Sequence, residues 1–130
     1  MKKSPDIFAK YLIDSVILID HLRGISQATD WLSSLAYDEG VISVITRAEV
    51  LVGAEAQEAG IRLLLDGYNC LSLDWTAADM AAKLRNQWRI KLPDAFQLAL
   101  AEKNDLILVT RDHGDFGKVA KSRVKIPYSL

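Results

Sequence analysis

Short apolar runs that barely alternate with polar residues are the feature that most restricts the fold of this chain. The clearest is the unbroken run at residues 106–109, and similar stretches lie at residues 11–13 and 41–45. Strands of this kind are buried on both faces, as in parallel sheets that helices cover. Because helix-like segments separate the runs, the pattern predicts an α/β domain with a central, mostly parallel sheet.

Composition limits the class of protein further. The chain has 130 residues, 50% of them hydrophobic and 25% charged, so a single domain spanning residues 1–130 is expected. The formal net charge of -1 gives no overall basic field for nucleic acid, which leaves only local clusters of Lys and Arg. Cys70 stands alone, which excludes an intrachain disulfide. No apolar run approaches membrane-spanning length, so we expect a cytoplasmic protein without membrane contact.

Acidic residues follow the predicted strands at the point where each strand ends. Asp14, Glu49 and Asp112 all lie just beyond a strand. In open α/β sheets, ligands bind in the crevice outside the carboxyl ends of the strands. Asp94 lies in the first turn of a helix that Pro93 begins, and this helix leads into the last long strand. These positions favour one shared site.

Each of these acids also has a local explanation. Asp14 can cap the helix that follows it, and Glu49 can bond back to Thr46 in a Thr-x-x-Glu capping box. Asp94 can stabilise its helix end through the macrodipole, and Asp112 can form a turn. A shared site accounts for all of these positions at once, whereas the local roles need a separate explanation for each.

The carboxylates predicted at this edge of the sheet need a counter-charge, because clustered acids repel one another unless a cation lies among them. Oxygen ligands without histidine or cysteine favour Mg²⁺ or Mn²⁺ over zinc. These ions suit phosphoryl transfer, in which one metal activates a water and a second, where present, neutralises the leaving oxygen. The pattern therefore favours a metal-dependent phosphoryl-transfer site over a general acid/base pair.

The residues around these acids resemble the motifs of the PIN-domain family, in the family's order and over nearly the whole chain. The matching segments are residues 11–15 (YLIDS), 46–49 (TRAE), 93–95 (PDA) and 108–112 (LVTRD), with Asp115 and Phe116. Size and motif set are most similar to the VapC-type toxins of bacterial and archaeal toxin–antitoxin pairs. The resemblance implies a three-layer α/β/α fold, metal-dependent endoribonuclease activity on RNA, a homodimer, and inhibition by a cognate VapB-like antitoxin.

The same resemblance implies roles for individual residues. The metal-binding and catalytic acids would be Asp14, Glu49, Asp94 and Asp112, with Asp115 as a further metal ligand and Mg²⁺ or Mn²⁺ as the cofactor. Nearby basic residues are candidate contacts for RNA phosphates: Arg47, Arg85, Arg89 and Arg111. The basic residues near a helix C-terminus have the alternative role of partners for the helix dipole.

One position departs from the family pattern. The family usually has asparagine two residues after the first acid, whereas this chain has Val16, which removes a polar side chain beside Asp14. The departure keeps open a second hypothesis, a non-catalytic PIN-fold module that binds RNA or a partner protein. A phospho-accepting signalling domain is a third hypothesis, but the paired acids expected after its first strand are absent from the sequence.

Overall fold

A computed structural model describes residues 9–54, 57–119 and 122–130, without the side chains of His113 and Asp115. Strands and helices alternate along most of the chain. In order they are β1 (Tyr11–Ile13), α1 (Ser15–Leu22), α2 (Ser26–Ser33), β2 (Gly40–Ser43), α3 (Val44–Val52), α4 (Glu58–Asp66), β3 (Cys70–Leu71), α5 (Trp75–Trp88), α6 (Leu92–Lys103), β4 (Ile107–Val109), α7 (His113–Phe116) and β5 (Val124–Lys125). Within the described residues, none of these helices is long and apolar enough to cross a bilayer.

The sheet has five strands in the order β3-β2-β1-β4-β5, and all the pairings are parallel. The chain builds outward from β1 to β3 and then crosses over to place β4 on the other side of β1. The strand order therefore reverses between β1 and β4, where Ile13 pairs with Val109. A crevice is expected outside the carboxyl ends of these two strands.

Side chains of the central strands alternate between two separate cores. Leu12, Val41 and Leu108 pack in a core built with α5 and α6. Ile13 and Val109 pack in a second core, built with α1, α3 and α4. Because each face of the sheet is covered by helices, the apolar runs in the sequence need no polar alternation. The three-layer α/β/α fold with a parallel sheet is confirmed.

The start of α3 differs from the predicted capping box. Ser43 caps this helix, because its hydroxyl oxygen accepts a hydrogen bond from the Thr46 N–H at 3.2 Å. The preceding strand therefore ends at Ser43, although the sequence predicted a strand to Ile45, and Thr46 is already inside the helix. The capping interpretation of Glu49 is wrong, because its carboxylate accepts a hydrogen bond from Ser15 and the cap is already supplied by Ser43.

Other helix boundaries differ by a few residues from the sequence prediction. Asp74 caps α5, so that helix begins at Trp75, although the Thr-x-x-Asp pattern at residues 76–79 favours a cap at Thr76. Gly60 lies inside α4, although a glycine at this place in the sequence favours a break between two helices. Pro93 occupies the first turn of α6, which begins one residue earlier than predicted. Such shifts arise because several polar residues in a row can each cap the same helix.

Candidate active site

A cavity of about 530 Å³ opens at the carboxyl edge of the sheet. Its lining contains every principal acid that the sequence singled out, together with two basic side chains. The lining residues are Asp14, Ser15, Val16, Glu49, Lys91, Pro93, Asp94, Arg111 and Asp112. The fold therefore brings together residues that are far apart in the chain, such as Asp14 and Asp112.

Asp14 is the most enclosed of these acids, with 8% of its surface exposed. It caps α1, and its Oδ1 accepts hydrogen bonds from the Ser15 N–H at 2.9 Å and from Gln97 Nε2 at 3.3 Å. Its Oδ2 accepts a hydrogen bond from the Thr110 hydroxyl at 2.8 Å. Asp14 therefore caps a helix and lines the cavity at the same time. Hydrogen bonds from three directions fix the orientation of its carboxylate.

The electrostatic environment of Asp14 opposes its ionisation. Burial raises the pKa of this carboxyl above 3.8, the hydrogen bonds from Thr110, Gln97 and Ser15 lower it, and the charge of Glu49 raises it again. The net shift is upward because desolvation is the largest of these effects. A carboxylate that is hard to ionise and lies near a second acid gains from a cation placed in the cavity.

Glu49 reaches the cavity from α3, the helix that follows β2. In the sheet, β2 and β4 lie on opposite sides of β1, the strand that Asp14 follows. The Glu49 Oε1 accepts a hydrogen bond from the Ser15 hydroxyl at 2.9 Å. Ser15 therefore contacts both acids, since its N–H bonds to Asp14 and its hydroxyl bonds to Glu49. Because Glu49 is largely exposed, its carboxylate can move toward a bound ligand at little cost.

Asp94 and Asp112 complete the acidic lining from two further elements. Asp94 lies in the first turn of α6, at the positive end of the helix dipole, which suits an acidic side chain. Asp112 follows β4, and its N–H donates to the Thr110 hydroxyl oxygen at 3.1 Å. Thr110 thus supports both Asp14 and the backbone that carries Asp112. The side chain of Asp115 lies outside the described residues.

The predicted RNA-contacting arginines divide into two groups. Arg111 lines the cavity, whereas Arg47, Arg85 and Arg89 are not part of its lining. Arg47 forms an ion pair with Asp66 at 3.0 Å on the surface. Arg85 and Arg89 are exposed at the C-terminal end of α5, and Arg89 caps that helix in the left-handed region, with φ 55°.

Besides lining the cavity, Arg111 forms an ion pair with Asp20, a buried acid. Its Nε and Nη2 donate to the two oxygens of Asp20 at 2.6 and 3.0 Å, and the Tyr128 hydroxyl donates to the same carboxylate at 2.8 Å. Asp20 is 2% exposed, and the hydrogen bonds from Arg111 are the main reason that its pKa lies below 3.8. This pair ties the segment before Asp112 to α1.

Replacing Arg111 by alanine is expected to lower the free energy of unfolding at neutral pH by about 2–3 kcal/mol, because it removes two hydrogen bonds from the buried Asp20 carboxylate and leaves only that of Tyr128. The stabilisation from this pair is present above pH 3.8, the pKa of an unperturbed aspartate, and is lost as the pH falls through the lowered pKa of Asp20. Urea unfolding of both proteins at several pH values measures the effect, and the difference should shrink in acid.

Arg47 provides the matched control for this prediction. Its ion pair with Asp66 has a similar distance, but 63% of the Asp66 side chain is exposed. Replacing Arg47 by alanine is therefore expected to cost less than about 1 kcal/mol. Equal losses for the two variants would show that burial of Asp20 does not set the strength of the Arg111 pair.

Two residues of the site were not identified from the sequence. They are Gln97 and Thr110, which bond to Asp14. Gln97 could have been identified from the sequence, since it is the polar residue in the otherwise apolar stretch at residues 95–101. A buried amide needs hydrogen-bond partners, so such a residue indicates a polar group nearby.

The acids fit a hard divalent cation that keeps part of its hydration shell. All the candidate donors are carboxylate oxygens, which Mg²⁺ and Mn²⁺ prefer. Across residues 9–54, 57–119 and 122–130, no three His, Cys, Asp or Glu side chains are close enough to hold an ion by themselves. Mg²⁺ usually binds one or two carboxylates and retains several waters, so an open acidic cavity suits it better than a closed cage.

Comparisons with known proteins agree with this fold. The PIN domain family model matches residues 11–122. Ribonuclease VapC10 from Mycobacterium tuberculosis is 34% identical over 106 residues, which cover 76% of this chain and 80% of that protein.

Two solved structures extend the comparison. A toxin-antitoxin complex from Klebsiella pneumoniae has a chain that superimposes with a TM-score of 0.87 at 35% identity, covering 93% of this chain and 100% of that one. VapBC-5 from Mycobacterium tuberculosis is a member of the VapBC family of toxin-antitoxin systems. It gives a TM-score of 0.62 at 26% identity, covering 91% of this chain and 97% of that one. Because the PIN domain family model matches residues 11–122 and VapC10 is 34% identical over 76% of the chain, the chain belongs to the PIN-domain family and, within it, to the VapC group.

Proposed function

We propose that this protein is a metal-dependent endoribonuclease and the toxin of a toxin–antitoxin pair. The observation that carries the proposal is that Asp14, Glu49, Asp94 and Asp112 line a single cavity at the point where the strand order reverses. The VapC10 relative is named a ribonuclease, and the similar solved structures include a toxin-antitoxin complex, which supports the same activity here.

The residues of the cavity have distinct roles in this proposal. Asp14, Asp94 and Asp112 would bind Mg²⁺ or Mn²⁺, directly or through the waters that the ion retains, and Glu49 would act as a further ligand or as the base that orients a water. Asp115 remains a candidate ligand. When bound, the cation supplies an activated water and neutralises charge on the phosphate. The chain itself fixes the Asp14 carboxylate and keeps Glu49 within reach through Ser15.

Basic side chains would hold the RNA backbone beside the acids. Lys91 and Arg111 line the cavity and suit the phosphate nearest the cleaved bond. Arg47, Arg85 and Arg89 lie outside the cavity lining and would contact more distant phosphates. Single-stranded or looped RNA is the proposed substrate, because its unpaired backbone can enter an open cavity of this kind.

The proposed assembly follows from the same family membership. A VapB-like antitoxin would bind and inhibit the protein, residues 1–130 would form one domain, and two copies would form a homodimer. The cytoplasm is the proposed location, since both the RNA and the antitoxin would be found there. Support for the antitoxin comes from the solved relatives, which are a toxin-antitoxin complex and a member of the VapBC family of toxin-antitoxin systems.

Replacing Asp94 by asparagine tests the proposed site directly. Asp94 would contribute one of several oxygen donors, so its loss is expected to lower RNA cleavage in Mg²⁺ or Mn²⁺ by about 100-fold. The measurement is the initial rate on a labelled single-stranded RNA at equal protein concentration. Asp79, an exposed acid on α5, gives the control variant Asp79→Asn, which should cleave at the wild-type rate. Equal cleavage by wild type and Asp94→Asn would remove the proposed site.

A non-catalytic module is the second candidate, and Val16 is the observation that favours it. Val16 lines the cavity beside Asp14, so the apolar side chain takes a place where the family usually has a polar one. Such a module would bind RNA with an affinity that falls steeply with salt concentration, but it would not cleave RNA with any divalent ion. The cleavage assay above distinguishes the two candidates.

A further inference from the structure

We infer that Gln97 is a positioning residue for Asp14, holding that carboxylate in the orientation that receives a divalent cation. This inference rests on the proposed function and adds to it a residue that lies behind the acids. Gln97 is 1% exposed and lies on α6, one turn after Asp94. The family motifs found in the sequence do not include it.

The surroundings of Gln97 show why a polar residue is present there. The adjacent positions Ala95, Leu98 and Ala99 are fully buried in the apolar core. An amide in such a place is unfavourable unless its groups are hydrogen-bonded. The amide of Gln97 has partners on both sides: its oxygen accepts from Ser43, and its nitrogen donates to Thr46 and to Asp14.

The directions of these hydrogen bonds are fixed by neighbouring groups. The Ser43 oxygen accepts from the Thr46 N–H, and its hydroxyl donates to Gln97 Oε1 at 2.6 Å. The Thr46 hydroxyl donates to the Ile13 carbonyl at 3.1 Å, so its oxygen is left to accept from Gln97 Nε2 at 2.8 Å. A flipped amide would lose these bonds.

In this orientation the remaining N–H of the amide is directed at Asp14 Oδ1, at 3.3 Å, where a flipped amide would place its oxygen against the carboxylate. The network thus connects the end of β2, the start of α3 and the inner side of α6 to the carboxylate at the end of β1. Side chains that orient a metal ligand in this way typically change metal affinity or activity by about 10–100-fold when they are removed. Gln97 would therefore act through Asp14 without touching the cation or the RNA.

The variant Gln97→Leu tests this role. Leucine has a similar volume, and Ser43 and Thr46 keep their hydrogen bonds to the Thr46 N–H and the Ile13 carbonyl, so the fold should persist, but Asp14 loses a donor. Mn²⁺ affinity, measured from free Mn²⁺ by electron paramagnetic resonance, is expected to weaken about 10-fold. The kcat for RNA cleavage should fall by about 10-fold or more, while the KM for RNA stays close to the wild-type value.

Leu100→Val is the matched control. Leu100 is 2% exposed on the same helix and packs in the apolar core, so its truncation lowers stability without changing a partner of Asp14. The folded fraction of this variant should bind Mn²⁺ with wild-type affinity. If it loses as much affinity as Gln97→Leu, the effect is one of stability and the positioning role is overturned.

A measurement on the wild-type protein covers the case in which Gln97→Leu does not fold. The side-chain amide resonances of Gln97 should exchange slowly with water in the metal-free protein and should shift when Mg²⁺ is added, because Asp14 accepts from this amide. Rapid exchange, or resonances that Mg²⁺ leaves unchanged, would overturn the inference.

The outcomes also separate this inference from the proposed function. Wild-type protein that binds Mn²⁺ and cleaves RNA, with Gln97→Leu equal to it in both respects, would overturn the role of Gln97 and leave the nuclease function standing. Wild-type protein that neither binds Mn²⁺ nor cleaves RNA would overturn the proposed function, and this inference with it.

Discussion

Replacing Asp14 by asparagine is expected to lower the rate of RNA cleavage by at least about 10³-fold, a larger loss than removing an outer partner of the site would cause. Three hydrogen bonds from the protein hold the Asp14 carboxylate, which lies between the ends of β1 and β4. The amide of asparagine keeps the shape but removes the negative charge that the cation needs. The assay compares initial rates with Mg²⁺ or Mn²⁺ at equal protein concentration.

Stability measurements show whether the lost activity reflects the site or the fold. Because burial raises the pKa of Asp14, the folded protein binds a proton at this carboxyl more tightly than the unfolded chain does. The ionised carboxylate therefore opposes folding, and wild-type stability falls as the pH rises from 3.8 through the raised pKa. Without metal, Asp14→Asn should be at least as stable as wild type at neutral pH, and the difference should vanish in acid. An inactive variant that is also unfolded would not support the prediction.

Much of the fold could be predicted from the sequence, because the apolar runs carry the necessary information directly. Strands without polar alternation must be covered on both faces, which leaves few arrangements besides a parallel sheet between helices. The acids at the strand ends then converge for a topological reason, since the carboxyl ends of parallel strands lie at one edge. The shared cavity of Asp14, Glu49, Asp94 and Asp112 follows from that rule and not from their spacing.

The supporting contacts could not be predicted, because they depend on which side chains meet across the core. Thr110 reaches Asp14 only because Ile13 and Val109 are in register on neighbouring strands. Arg111 was predicted to contact phosphate from its sequence neighbours, but its guanidinium also bonds to Asp20 on α1. The local sequence shows which residue lies at each position of the site. Which side chain it bonds to depends on how distant segments of the chain pack together.

Helix starts were the least predictable local feature, and the reason is physical. Residues 43–46 contain two hydroxyl side chains, each able to cap a helix, and the sequence favoured Thr46 because Glu49 follows it. The structure uses Ser43 as the cap, which leaves the Thr46 hydroxyl to bond to Ile13 and Gln97. Glu49 is then available to bond to Ser15 at the edge of the cavity. The capping choice and the geometry of the site are therefore linked.

Removing divalent metal is expected to abolish RNA cleavage. Without a cation, the negatively charged acids of the cavity do not attract the negatively charged phosphodiester. Lys91 and Arg111 also line the cavity, but they cannot activate a water as a metal ion does. Treatment with a chelator should bring the rate to background, and Mg²⁺ or Mn²⁺ should restore it. Zn²⁺ should restore it poorly, since the described lining offers neither cysteine nor histidine ligands.

Thermal unfolding gives an independent measure of the same metal site. A cation that binds only the folded protein stabilises it by about 2.7 kcal/mol at 100 times its Kd. Mn²⁺ should therefore raise the Tm of the wild type, and it should raise the Tm of Asp14→Asn much less, because asparagine offers no negative charge. Cleavage that persists in chelator and is equal in the Asp14→Asn preparation would indicate a contaminating nuclease. Cleavage that persists only in the wild type would show that the site works without metal and would contradict the prediction.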